Sequence, residues 1–141
     1  TAFQGNQAAV TLCLDILDVL HLWDDLIDKD TERTDSEINA AFRRLFYDIP
    51  MNPFYQQVQG DVAPLMLSII LRWRDANAME QAWAQDTDMH KAYMLRAGVY
   101  DLFAHIAWLI GGDEWSERIG PDLRRLYGEH LEDYMKEISN A

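Results

Sequence analysis

Asp15 to Asp30 reads DILDVLHLWDDLIDKD. Wound at about 100° per residue, Leu12, Ile16, Val19, Leu20, Trp23, Leu26 and Ile27 fall within an arc of about 120°. An apolar arc of that kind belongs to an amphipathic helix; a half-buried strand would alternate with period two. The opposite half of the wheel carries Asp15, Asp18, His21, Asp24, Asp25 and Asp28. This one stretch therefore sets the fold class and also raises the main chemical question, because six aspartates and a histidine share sixteen residues.

The helical pattern extends in both directions. A first helix is expected over about 6–28, followed by a polar break at 29–34. Asp35 is read as the cap of a second helix, with Ile38, Ala41, Phe42, Leu45 and Phe46 at helical spacing. In Ile49-Pro50-Met51-Asn52-Pro53, Asn52 suits an N-cap and Pro53 the first helical position. A third helix then runs to about 85, kinked or restarted near Gly60 and Pro64. Asp86 or Thr87 opens a fourth, apolar nearly all round from Met89 to Ile110 and ended by Gly111-Gly112. After a short turn, Gly120 and Pro121 introduce a fifth, over 122–139. β-branched residues are sparse and no stretch alternates over a strand length. The expectation is an all-α, single-domain antiparallel bundle of about five main helices, spanning residues 1–141.

Composition supports a folded chain. Of 141 residues, 49% are hydrophobic and 11% aromatic, enough for a proper core without staples. Twelve Lys and Arg stand against twenty-four Asp and Glu, a net charge of −12. A nucleic-acid binder needs a basic footprint, and an anionic membrane surface attracts basic segments, so neither partner is expected. No run is long and apolar enough to span a bilayer, and no basic-then-apolar leader is visible. A cytoplasmic protein is expected. Cys13, the single cysteine, reads as packing on an apolar helix.

Asp18, His21, Asp25 and Asp28 step by three, four and three residues and form one stripe; Asp24 and Asp28 are also adjacent. Like charges at these spacings repel by about 0.2–0.5 kcal/mol per pair. Asp28 and Asp30 lie where the helix dipole disfavours anions, and Lys29 is the nearest cation in sequence. Leu14, Leu17 and Leu22 interrupt the acidic half, which a face turned wholly to water seldom shows. Two readings follow. The face is solvated or meets a basic partner. Alternatively Asp18, His21, Asp24, Asp25 and Asp28 hold a divalent cation, Mg²⁺ or Mn²⁺, which would itself grip a phosphate. A second polar stripe, His90, Asp101 and His105, falls within about 60° on the fourth helix. It reads as an exposed edge, as satisfied core polar groups, or as a second set of metal ligands facing the first. Arg43-Arg44 and Arg124-Arg125 could meet an anion.

Trp23-Asp24-Asp25-Leu26-Ile27-Asp28 resembles the first aspartate-rich motif, Asp-Asp-x-x-Asp, of class I isoprenoid synthases. The resemblance covers about ten residues. It implies an all-helical fold, with Asp24 and Asp28 as Mg²⁺ ligands, Asp25 as a supporting carboxylate, and a diphosphate substrate. The chain departs from that family in length, in lacking a second aspartate-rich motif, and in lacking basic residues that match the diphosphate clamp. In overall character it is also similar to small proteins encoded by temperate bacteriophages and prophages, through Ile49–Tyr55 (IPMNPFY), Leu95–His105 (LRAGVYDLFAH) and Ile110–Trp115 (IGGDEW). The functional expectation is a small acidic helical binding protein without a complete catalytic set, meeting a basic protein or a second copy of itself. The alternative is a divalent-metal-dependent enzyme, or a metal-binding remnant, acting on a diphosphate or nucleotide through Asp24-Asp25-x-x-Asp28.

Overall fold

The computed structural model describes residues 1–140. The chain is all-α, and no strand occurs among the described residues. Helices α1 (Gln7–Asp28), α2 (Asp35–Arg43), α3 (Ile49–Met51), α4 (Pro53–Gln81), α5 (Asp86–Arg96), α6 (Val99–Arg125) and α7 (Leu131–Ser139) follow one another, with a π-helical turn, Arg44–Asp48, between α2 and α3. Phe3–Gly60 form one compact unit and the chain from Asp61 onward a second; α4 runs through both.

The first unit is built around α1. Asn6 caps it, its side-chain oxygen accepting from the Ala9 amide at 3.0 Å. Ala9, Leu12, Cys13, Ile16 and Leu20 are buried, as the apolar arc requires, but Leu26 and Ile27 at its far end are exposed. Leu22, from the acidic half, is buried instead. α1 stops at Lys29, which adopts the left-handed conformation (φ 58°) and donates its amide to Asp25 O at 2.9 Å. The second helix begins one residue earlier than the sequence suggests. Thr34 caps it, and its side chain and the Glu37 carboxylate satisfy each other's backbone amides. Such a reciprocal cap outweighs Asp35 as a lone cap.

The π-helical turn inserts an extra residue into the run from α2 to α3. Phe42, Leu45, Phe46 and Tyr47 are left exposed, while Ile49 is buried at 4% exposure. Asn52 then does two jobs. Its side-chain oxygen accepts from the Phe54 and Tyr55 amides at 2.9 and 3.1 Å, capping α4. Its amide nitrogen donates 2.9 Å to Ala8 O in the first turn of α1. The cap was legible in Asn52-Pro53; the tie to α1 was not.

The second unit is organised by a buried ion pair. Arg96 at the end of α5 forks onto Glu80 of α4, Nε to Oε1 at 2.6 Å and Nη2 to Oε2 at 2.7 Å, with side-chain exposures of 10% and 8%. Arg96 also donates to Asn77 Oδ1 and lies over the Trp73 ring. The Tyr134 hydroxyl of α7 donates to Glu80 Oε1 at 2.6 Å. Burial, then that bond, raises the hydroxyl's pKa and keeps it a donor. Ala76, Met89, Ala92 and Tyr134 pack together, and Tyr134 joins that cluster to the ion pair.

The expected fourth helix, running unbroken from 86 to 110, is two helices. The Arg72 side chain of α4 donates to Met94 O and Leu95 O at 3.1 and 3.2 Å, taking the carbonyls that end α5. A Cβ on Gly98 would lie 2.6 Å from Arg72 Nε, so glycine makes room for that side chain. Gly112 breaks α6 within its length, at φ 78° and ψ −172°, where an end had been expected. Gly120 and Pro121 do not break it; the chain leaves the helix at 126–130. The expected fifth helix therefore survives as the end of α6 and as α7.

Two measurements check these anchors. Asn52→Ala removes a cap and strands Ala8 O, and chemical denaturation should show a loss of about 1–2 kcal/mol. Glu80→Ala removes the carboxylate onto which the buried guanidinium forks and should cost about 3–5 kcal/mol. A loss below about 1 kcal/mol for Glu80→Ala would show that the pair does not organise the second unit.

Candidate functional site

The acidic face of α1 meets arginines. Arg33, from the polar break, directs Nε and Nη2 onto Asp25 Oδ2 and Nη1 onto Glu37 Oε1 at 3.2 Å. Arg44, in the π-helical turn, reaches Asp15 at 3.6 Å and Asp18 at 3.5 Å. Arg43 reaches Asp48 at 3.5 Å. Counter-charge at the acidic face thus comes from residues eight to twenty-nine positions further along the chain than the aspartates they meet, which a helix wheel does not show. A cleft of about 340 Å³ lies between α1 and α2, with Leu22, Ala40 and Ala41 among its apolar walls and Asp18, His21, Arg33, Ser36, Glu37 and Arg44 as its polar ones.

The carboxylates differ in their surroundings. Burial, only partly offset by Arg44, raises the Asp15 pKa above the ordinary aspartate value. Glu37 moves the other way, chiefly because the Thr34 backbone amide donates to it. The Cys13 thiol is pushed up to about 12 by burial, so it stays protonated and unreactive.

The other sequence-singled residues are placed as follows. Asp24 and Asp25, in the last turns of α1, are half-buried, and Asp28 and His21 are exposed. His90 is on α5, whereas Asp101 and His105 are on α6, so the expected single stripe is divided between two helices. His90 Nε2 contacts Met135 Sδ at 3.2 Å. Asp101 sits between two arginines, accepting from Arg72 Nη1 at 2.9 Å and Arg124 Nη1 at 2.6 Å. His105 Nε2 is buried without a hydrogen-bond partner, and its ring lies beside Trp108. Among the described residues, no three His, Cys, Asp or Glu side chains are grouped so as to enclose a cation. No helix among them is long and apolar enough to cross a membrane.

Arg33, Arg72, Arg96 and Glu80 escaped the sequence reading. The arginines' signal was compositional: nine of the twelve Lys and Arg residues are arginine. The arginine fork suits bidentate, partly buried carboxylate pairing better than lysine.

No protein-family model, curated protein or solved structure matches the chain.

The pH response of Asp15 follows from its raised pKa. The folded state holds its proton more tightly than the unfolded state, so this group's contribution to stability falls as pH rises from the ordinary aspartate value through the raised one. Asp15→Asn should therefore raise the melting temperature at pH 7. The gain should vanish below about pH 3, where both states carry the proton. A lower melting temperature at pH 7 would show that the Arg44 contact outweighs burial.

Proposed function

We propose that this chain is a non-catalytic interaction protein that docks a basic, amphipathic segment of a partner protein. The observation that carries this reading is the apolar row on α2 and the π-helical turn. Phe42 is 56% exposed, Phe46 77% and Tyr47 60%. The Phe42 and Phe46 rings stack with centroids 6.0 Å apart. Leu45 and Met51 are exposed beside them in sequence. Isolated exposed apolar residues are ordinary, but a group containing stacked aromatics is the composition of an interface core.

The backbone supports the same reading. π-helical turns are rare and recur at functional sites, and this one lies where Leu45, Phe46 and Tyr47 are exposed in succession. Charge argues for the partner's sign. At −12 the chain attracts a cationic segment and repels a second copy of itself. The ion pairs at Asp25 and Asp101 favour binding over catalysis, because these carboxylates already have hydrogen-bonded arginine partners.

The test uses a labelled, helical Leu/Lys amphipathic peptide and a Lys/Ser peptide of equal charge. The Leu/Lys peptide should bind more tightly. Phe42→Ser with Phe46→Ser should weaken it at least about tenfold, as removal of interface anchors does, without lowering the melting temperature. Equal binding of the two peptides, with no effect of the double substitution, would leave charge alone and overturn the docking reading. Sedimentation showing a dimer that the same substitutions dissolve would replace the basic partner with a second copy.

A further inference from the structure

We propose that the cleft between α1 and α2 binds a small zwitterionic ligand of the α-amino-acid class. Its volume of about 340 Å³ lies at the small end of ligand sites. Its walls carry two carboxylates, Asp18 and Glu37, and two guanidinium groups, Arg33 and Arg44. Two carboxylates and two guanidinium groups thus share the lining, inside a protein of net charge −12.

Two of these four groups are already engaged. Arg33 holds Asp25 and Glu37, and Glu37 also accepts from Thr34. Arg44 and Asp18 face each other at 3.5 Å, beyond the hydrogen-bond reach of about 3.2 Å, and Arg44 meets Asp15 only at 3.6 Å. This leaves one cation and one anion side by side with hydrogen-bonding capacity to spare. Ser36, exposed in the first turn of α2, adds a hydroxyl near that helix's positive end. Leu22 and Ala41, both buried, supply apolar wall for a side chain.

The pairing selects the ligand. A simple anion on Arg44 would draw it from Asp18 and add charge to an acidic protein. A simple cation on Asp18 would leave Arg44 facing Asp15 alone, at 3.6 Å and beyond hydrogen-bond reach. A zwitterion exchanges one loose ion pair for two closer ones, its carboxylate on Arg44 and its ammonium on Asp18. This site is separate from the aromatic row and does not rest on that reading.

The experiment records amide NMR shifts with three probes: L-leucine, 4-methylpentanoate, which lacks the amine, and 3-methylbutylamine, which lacks the carboxylate. Leucine should shift amides around Asp18–Leu22 and Ser36–Arg44, and the half-molecules should not at equal concentration. Arg44→Gln should weaken leucine binding about tenfold or more, the scale of one charged hydrogen bond. If that variant unfolds, Asp18→Asn, at an exposed position, should still weaken binding. No shift with leucine in the parent protein overturns the proposal. So does a response to the carboxylate or the amine alone that equals the response to leucine.

Discussion

The buried Arg96–Glu80 pair is the constraint on which the second unit is built. A guanidinium and a carboxylate at about one-tenth exposure are tolerable only when the fork is complete and the remaining donors are used. Asn77, Trp73 and the Tyr134 hydroxyl complete it. That requirement fixes α5 and α7 against the same turns of α4. It also explains why a tyrosine, and not a leucine, occupies the centre of α7. Aromatic contacts extend the arrangement outward, from Tyr134 to Tyr93 at 5.5 Å and from Tyr93 to Tyr127 at 5.3 Å.

The same device recurs at lower burial. Arg33 holds Asp25, Arg44 approaches Asp15 and Asp18, and Arg72 and Arg124 share Asp101. An acidic chain that has few cations places them where carboxylates gather. Repulsion along α1 is relieved across the tertiary structure, which i,i+4 reasoning on one helix does not see. Arg72 adds a second role by taking the last carbonyls of α5, and so decides where one long apolar run becomes two helices.

The first unit divides its labour between opposite sides of a short helix. One side of α2 contributes Ser36, Glu37, Ala40 and Ala41 to the cleft beside α1. The other carries Phe42, which the π-helical turn continues as Leu45, Phe46 and Tyr47. The helix is nine residues long and is held at its start by the Thr34–Glu37 capping box. Its stability rests on that cap and on contacts with α1 more than on its own length, since isolated helices so short are marginal in water.

Period and punctuation in the sequence determined the fold class. The apolar arc of α1, the cap at Asn52, the start at Asp86 and the break at Gly112 follow from local chemistry, which neighbouring residues carry by themselves. The buried line within α1 was legible at Leu12, Ile16 and Leu20; the leucines on the acidic half pointed to cover there, but a wheel cannot show that α2 lines the cleft beside Leu22 and leaves Leu14 exposed. Tertiary structure alone decided the partners of the charges. Asp25 and Arg33 are separated by a helix end, Glu80 and Arg96 by a loop, and Asp101 and Arg124 by a glycine kink. Such pairs are set by where helices stop and turn. The acidic stripe was therefore visible as composition, while its pairing with arginine became visible only when the chain was folded.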